Sequence, residues 1–175
     1  MTTGTKILNI ASLALLVGAA IYIFKRQKAM IEAKDYREVT ETLPRGYRNN
    51  NPLNIRYNAA NNWQGKVLPN TDGAFEQFEN IAYGYRAAFV LLRNYIKDGY
   101  NTIAQIIGRW APATENNTDG YINRVCQTTG FYPSTVITRN DRNALEALVY
   151  AMAIVENGYM PLPNKTEISQ GYDAI

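Results

Sequence analysis

The sequence of 175 residues contains no histidine and only one cysteine, Cys126. Without histidine the chain cannot form a Ser-His or Cys-His nucleophile pair, and it lacks the commonest zinc ligand. A single cysteine excludes an internal disulfide framework and is typical of a chain that matures in a reducing compartment. Any catalysis would depend on carboxylates, tyrosines, amides or lysines, and we expect neither a metal site nor a cofactor.

A strong excess of one charge is also missing. The formal net charge is +3, and charged residues make up 19% of the chain. Nucleic-acid-binding domains usually carry a pronounced basic excess. We therefore expect no nucleic-acid partner.

Charged residues are absent from one long apolar run, residues 7–24, "ILNIASLALLVGAAIYIF". Eighteen helical residues at about 1.5 Å each just cross a hydrocarbon core about 30 Å thick. Lys25, Arg26 and Lys28 follow, and positive charge on this flank predicts that the C-terminal part begins on the cytoplasmic side. We interpret residues 1–27 as a transmembrane anchor that contacts lipid; a cleaved signal peptide and a core helix are the alternatives.

The composition of the chain after residue 27 indicates three further segments. Residues 28–44 are charged, with i,i+4 pairs such as Lys28/Glu32, and are typical of a solvated helical stalk that ends at Pro44. A domain spans residues 45–160, and residues 161–175 form a C-terminal tail.

Residues 45–78 are rich in Asn, Gly and Pro, which indicates turns. Strand-like runs at 64–68 and 74–78 flank the sequence Pro-Asn-Thr-Asp-Gly at 69–73, which predicts a small β-hairpin. After Asn80 the apolar period becomes helical. Capping-box patterns at Thr102/Gln105 and Thr138/Asp141 predict two further helix starts. The sequence thus predicts a mainly α domain with one hairpin.

Glu156 stands in an unusual place, near the end of the apolar stretch "LEALVYAMAIVENGYMP". On a helical wheel it lies within about 20° of Leu145 and continues an apolar face. Apolar surroundings and the negative end of the helix dipole disfavour its charged form, so it would be available as the proton donor that glycosidic cleavage needs. The alternatives are a Glu held by a buried Arg, or one that emerges into water.

Several of these motifs resemble a known family. "ALVYAMAIVENG" is similar to the helix of lysozyme-like lytic transglycosylases and glucosaminidases in which a run of small apolar residues ends in Glu-Ser-Gly and the Glu is the catalytic acid. "NNNPLNIRY" and Trp63-x-Gly65 resemble segments that follow that glutamate in bacterial glucosaminidases. Because the Glu-Asn-Gly helix comes last here, the resemblance implies a circularly permuted, lysozyme-like α+β domain whose last helix abuts the loop at residues 49–54.

As a whole, residues 45–160 resemble small bacteriophage virion proteins that carry "RGxRNNNPxNIR" and "RWAPxxENxTxxY" and are thought to degrade peptidoglycan. The resemblance implies peptidoglycan as substrate and capsid or other virion proteins as partners. It also implies a single-pass protein of the virion membrane, held in the host inner membrane during assembly with its C-terminal domain initially cytoplasmic. The alternative is a non-enzymatic protein that links an internal membrane to the capsid.

Glu156 is the first candidate for the general acid/base, and the loop residue Glu115 is its rival. A lytic transglycosylase can use one carboxyl group, whereas a hydrolase needs a second carboxylate to activate water. Glu76 and Asp72 are the nearest candidates for that second group, and each is more typical of a solvent-facing residue. The sequence therefore favours the transglycosylase.

Seven further residues are candidates for substrate binding. Aromatic side chains would stack on sugars or, alternatively, fill the core, and the asparagines would bind N-acetyl groups or, alternatively, build turns. These residues are Asn50, Asn51, Asn54, Arg56, Trp63, Trp110 and Tyr121.

Overall fold

The computed structural model describes residues 21–32, 34 and 41–175. The chain forms two compact units, Met1–Thr42 and Leu43–Ile175. In the first unit, residues 21–32 are helical and exposed, and Lys28 Nζ lies 3.8 Å from Glu32 Oε1.

The predicted transmembrane helix is not found in the part of the chain that the structure describes. No helix there combines the length and the apolar composition needed to cross a bilayer. Residues 1–20 of the predicted anchor at 1–27 lie outside the described residues.

The second unit is helical. Its helices are α1 Arg45–Arg48, α2 Ile81–Lys97, α3 Ile103–Trp110, α4 Thr118–Thr129, α5 Arg142–Asn157 and α6 Lys165–Asp173. The predicted capping box at Thr102 and Gln105 is confirmed at the start of α3. The second predicted box is wrong by one turn: Asp141 itself is the N-cap of α5, and its Oδ1 accepts a hydrogen bond from Ala144 N at 3.0 Å.

The predicted β-hairpin is wrong, and with it the lysozyme-like α+β class. Between residues 41 and 175 only isolated bridges pair backbone segments: Arg56 with Phe75, Lys66 with Phe78, and Thr102 with Val136. Side-chain hydrogen bonds add to these few backbone contacts: the buried Asn51 Nδ2 donates to the carbonyls of Ile55 and Glu76, each at 3.0 Å. Asparagine side chains that bond to the backbone compete with regular pairing, which explains the irregular segment.

One apolar core joins the helices. Helix α5 runs through it and buries seven side chains: Leu145, Leu148, Val149, Ala151, Met152, Ala153 and Ile154. Residues 161–175, expected as a tail, contain α6, which packs on α2: Phe89 and Tyr172 meet edge to face with ring centroids 5.2 Å apart. Because the last turn of α5 emerges from the core, Glu156 is only half-buried.

Candidate functional site

Three hydrogen-bond donors from distant parts of the chain converge on the Glu156 carboxyl group. Trp110 Nε1 donates to Oε1 at 3.2 Å, and Tyr121 Oη donates to the same oxygen at 3.0 Å. Asn54 Nδ2 donates to Oε2 at 3.0 Å. Four of the sequence-predicted site residues are thus in direct contact.

Each donor is placed by a different element. Trp110 is the last residue of α3, and Tyr121 lies in the first turn of α4, whose N-cap is Asn117. Asn54 belongs to the loop after α1 and adopts a left-handed backbone conformation with φ +50°. Asparagine tolerates this conformation better than most residues do, which explains its presence at this turn.

The end of α5 is docked on this loop by Asn157. Its Nδ2 donates to the carbonyls of Pro52 at 2.6 Å and Ala153 at 2.9 Å. The helix that ends in Glu-Asn-Gly therefore abuts the loop at residues 49–54, as the resemblance implied.

The immediate partners of Glu156 are polar, in contrast to the apolar neighbours that the helical wheel predicted. Within the described residues no arginine or lysine forms an ion pair with it. Burial, reinforced by the charge of Glu156 and the hydrogen bond to it, raises the pKa of Tyr121 well above its usual value. The Tyr121 hydroxyl therefore keeps its proton and acts as a donor.

Glu156 faces a groove of about 530 Å³. One part of the lining is aromatic, and another is made of amides and the exposed Arg56. The Arg56 guanidinium lies 5.0 Å from the centre of the Phe75 ring. The lining residues are Asn54, Ile55, Arg56, Tyr57, Asn58, Asn61, Trp63, Phe75, Leu91, Tyr95, Trp110, Ala111, Asn116 and Glu156. Aromatic faces beside hydrogen-bonding amides suit a sugar chain.

Three of the seven predicted binding residues do not line this groove: Asn50, Asn51 and Tyr121, the last of which contacts the Glu156 carboxyl group. Asn50 donates from Nδ2 to the Phe78 carbonyl at 2.9 Å, and Asn51 is fully buried with its amide bonded to the backbone. Both side chains hold the loop itself, which is the turn chemistry considered as the alternative. Glu115 lies exposed in the turn after α3 and outside the groove lining.

Glu76 and Asp72, the candidates for a second carboxylate, are both engaged in ion pairs. Glu76 is fully buried with Lys66 Nζ 3.1 Å from its Oε2, so the prediction that it faces solvent is wrong. Asp72 receives two hydrogen bonds from Arg45, at 2.7 and 2.6 Å. Among the described residues, Glu156 is the carboxylate that lines the groove.

Sequence reasoning missed several groove residues: Tyr57, Asn58, Asn61, Tyr95 and Asn116. Tyr57 is the last residue of "NNNPLNIRY" and directly follows Arg56, a predicted binding residue, so its position in the sequence could have identified it. Tyr95 lies on α2, next to the apolar positions Leu92 and Ile96. The apolar pattern of this helix gives no sign that Tyr95 faces a groove. No cluster of three or more Cys, Asp or Glu side chains in the described ranges is placed to hold a metal ion.

The fold and the groove define a small helical domain with one groove carboxylate fixed by three neutral donors. No family model matches the chain. The chain is similar to Protein P5 of Pseudoalteromonas phage PM2, with 39% identity over 135 residues, which cover 74% of this chain and 80% of that protein. It therefore belongs to the family of this phage protein, and the predicted relation to bacteriophage proteins is confirmed.

Proposed function

We propose that this chain is a bacteriophage virion protein that cleaves the glycan strands of peptidoglycan during genome entry, by the intramolecular transfer that lytic transglycosylases perform. One observation carries the proposal: a half-buried glutamate, fixed by Trp110, Tyr121 and Asn54, faces a groove lined by aromatic and amide side chains. The phage family to which the chain belongs supports the biological setting.

In this mechanism, Glu156 transfers a proton to the glycosidic oxygen while the bond between that oxygen and the anomeric carbon breaks. The same carboxylate then takes the proton of the substrate's own C6 hydroxyl, whose oxygen bonds to the anomeric carbon. The proton lost in the first step is regained in the second, and a 1,6-anhydro sugar results. No activated water is required, which agrees with a groove where a second carboxylate is not found among the described residues.

The groove supplies the groups that would bind the substrate. Trp63 and Trp110 offer apolar faces for sugar rings, and Arg56 offers a charge at the rim for the acidic wall polymer. The fixed orientation of the carboxyl group keeps the proton donor aligned with the glycosidic bond of a bound glycan strand. Such alignment contributes strongly to the reaction rate.

Mass spectrometry of peptidoglycan digested by the full-length chain tests the proposal. We expect muropeptides that end in an anhydro sugar and therefore lack one water relative to the products of hydrolysis. Glu156→Gln keeps the size of the side chain and removes the proton transfer, so the rate should fall about 10²- to 10⁴-fold.

Two matched variants complete this experiment. Glu79→Gln changes an exposed carboxylate outside the groove and should behave as the parent chain does. Glu115→Gln tests the rival acid. If Glu115→Gln abolished cleavage while Glu156→Gln retained it, the assignment of the acid would be wrong, and if the parent chain released no product, the enzymatic proposal would fail.

A structural role in the virion, in which the domain joins an internal membrane to the capsid, is the second candidate. Large apolar side chains exposed on one loop favour it, since they are available to a protein partner: Tyr159, Met160 and Leu162 are 53%, 83% and 56% exposed. Copy number separates the two roles. A lattice component occurs in multiples set by capsid symmetry, whereas an enzyme is needed in few copies, and quantitative mass spectrometry of purified particles measures this.

A further inference from the structure

The amide of Asn54 has only one of its two ends fixed. Its Nδ2 donates to Glu156 Oε2 at 3.0 Å, while its Oδ1 is buried and has no hydrogen-bond partner in the described structure. The backbone of Asn54 is left-handed, with φ +50°. Since no other group binds Oδ1, Glu156 alone determines which end of the amide faces it.

The other two donors determine which carboxyl oxygen carries the proton. The Trp110 indole can only donate, and the buried Tyr121 hydroxyl has Glu156 Oε1 as its one acceptor among the described residues, so it must donate there to keep its own hydrogen bond. Both already bond to Oε1, at 3.2 and 3.0 Å, so that oxygen has no free position for a proton. A protonated Glu156 therefore carries its proton on Oε2, the oxygen that faces Asn54.

We propose that Asn54 is a positioning residue whose amide turns over with the protonation state of Glu156. In the structure Nδ2 donates to Oε2, which is the arrangement that an ionised carboxylate requires. In the protonated state the amide rotates by half a turn, and Oδ1 accepts the Oε2 proton. One residue thereby stabilises the acid before transfer and the carboxylate after it.

This inference rests on the proposed function, because it gives Asn54 a part in the same proton transfer. When the substrate's glycosidic oxygen takes the proton from Oε2, the hydrogen bond to Oδ1 is lost and the amide returns Nδ2 to the new carboxylate. When the C6 hydroxyl gives its proton to Oε2, the sequence reverses. No proton or electron is gained by Asn54 itself.

Other titratable groups near Glu156 cannot take this role. From α4, Tyr121 bonds to Oε1. From α2, Tyr95 lines the groove, and from the loop Arg56 and Tyr57 do so, yet none of these three forms a hydrogen bond or an ion pair with Glu156 in the described residues. Asn54 is therefore the partner of the oxygen that gains and loses the proton.

Nuclear magnetic resonance of the labelled full-length chain tests the inference without any activity. We expect contacts between the Asn54 amide protons and the Glu156 methylenes at high pH, and their loss at low pH with the same midpoint as the Glu156 carboxyl carbon. In Glu156→Gln these contacts should not depend on pH. Contacts that persist unchanged while Glu156 titrates would overturn the inference.

A matched pair of variants adds a second readout. Asn54→Gly keeps a residue suited to the left-handed turn and removes the amide, and Asn50→Gly makes the same change at φ +51° outside the groove lining. We expect Asn54→Gly to move the Glu156 titration midpoint and to lower kcat on the order of tenfold to a hundredfold, with little change in KM. Asn50→Gly removes a loop hydrogen bond to the Phe78 carbonyl and leaves the Asn54 amide in place, so it should move the midpoint much less; an equal shift in both variants would mean that a loosened loop, and not the lost amide, causes it.

The two proposals fail separately. A chain that shows the amide rotation but does not cleave peptidoglycan loses only the proposed function. A chain that cleaves peptidoglycan with an Asn54 amide that keeps one orientation loses only this inference. An Asn54→Gly variant with an unmoved Glu156 titration would likewise count against it.

Discussion

At the residue scale, one buried ion pair holds the irregular wall of the groove. Lys66 Nζ lies 3.1 Å from Glu76 Oε1 and 3.1 Å from Oε2, and it also donates to the carbonyls of Asn58 and Asn61 at 2.8 and 3.1 Å. The side chains of Lys66 and Glu76 are 6% and 0% exposed. Since Asn58 and Asn61 line the groove, this lysine links the stability of the loop to the shape of the site.

Lys66→Met should therefore destabilise the domain severely. The variant leaves Glu76 buried without its positive partner, and breaking a buried pair in this way costs about 3–5 kcal/mol. Urea unfolding followed by tryptophan fluorescence measures the change. Lys97→Met, at an exposed lysine in the last turn of α2, is the matched control and should alter the free energy of unfolding by less than about 0.5 kcal/mol. Equal effects of the two substitutions would contradict the role of Lys66.

At the element scale, helix α2 approaches the loop before it so closely that only glycine fits. A Cβ added at Gly84 would lie 2.0 Å from the Asn50 carbonyl oxygen. This contact presses the loop of Asn50 to Asn54 onto the first turns of α2, and the loop then presents Asn54 to Glu156. The position of a site residue thus depends on a helix that contributes no hydrogen bond to Glu156.

Gly84→Ala should destabilise the domain, because the neighbouring atom is backbone and cannot turn aside. We expect a loss of about 1–3 kcal/mol, the usual cost of overpacking a tight contact. Gly108→Ala is the control: it also lies inside a helix, α3, but a Cβ there meets nothing within 4 Å. Alanine at that position should raise the stability by up to about 1 kcal/mol. Thermal unfolding by circular dichroism compares the two, and destabilisation of similar size in both would refute the packing argument.

At the scale of the whole molecule, the free energy of unfolding depends on pH through Asp72, a carboxylate other than the one in the groove. Hydrogen bonds from Arg45 above all, and then from Asn49 and the backbone of Phe75 and Ala74, hold the pKa of Asp72 well below its usual range. Because the pKa in the folded state is lower than in the unfolded state, this stabilisation is complete above the unfolded pKa of about 4 and is lost progressively as the pH falls from there through the depressed pKa of the folded state.

Asp72→Asn should therefore weaken the domain at neutral pH and matter less in acid. The variant retains the shape of the side chain and loses the charge that binds Arg45. We expect the difference between the urea midpoints of the parent and variant chains to be largest at pH 7 and to narrow steadily as the pH falls from about 4 to about 2, because the unfolded chain takes up the proton before the folded chain does. A difference between the two midpoints that stays constant across this range would show that Asp72 stabilises the fold without its charge.

The sequence by itself determined helices α2 to α5, the capping box at Thr102 and the position of Glu156 near the end of an apolar helix, because these features depend on neighbours within a few residues. Only the tertiary structure decided the partners of Glu156. Asn54 is 102 positions away from it, and Trp110 and Tyr121 lie on other helices. The prediction of a hairpin was wrong for the same reason. Whether Asn51 and Lys66 bond to strands or to irregular backbone depends on which distant groups the fold brings within hydrogen-bond distance. Local periodicity carries no information about those groups.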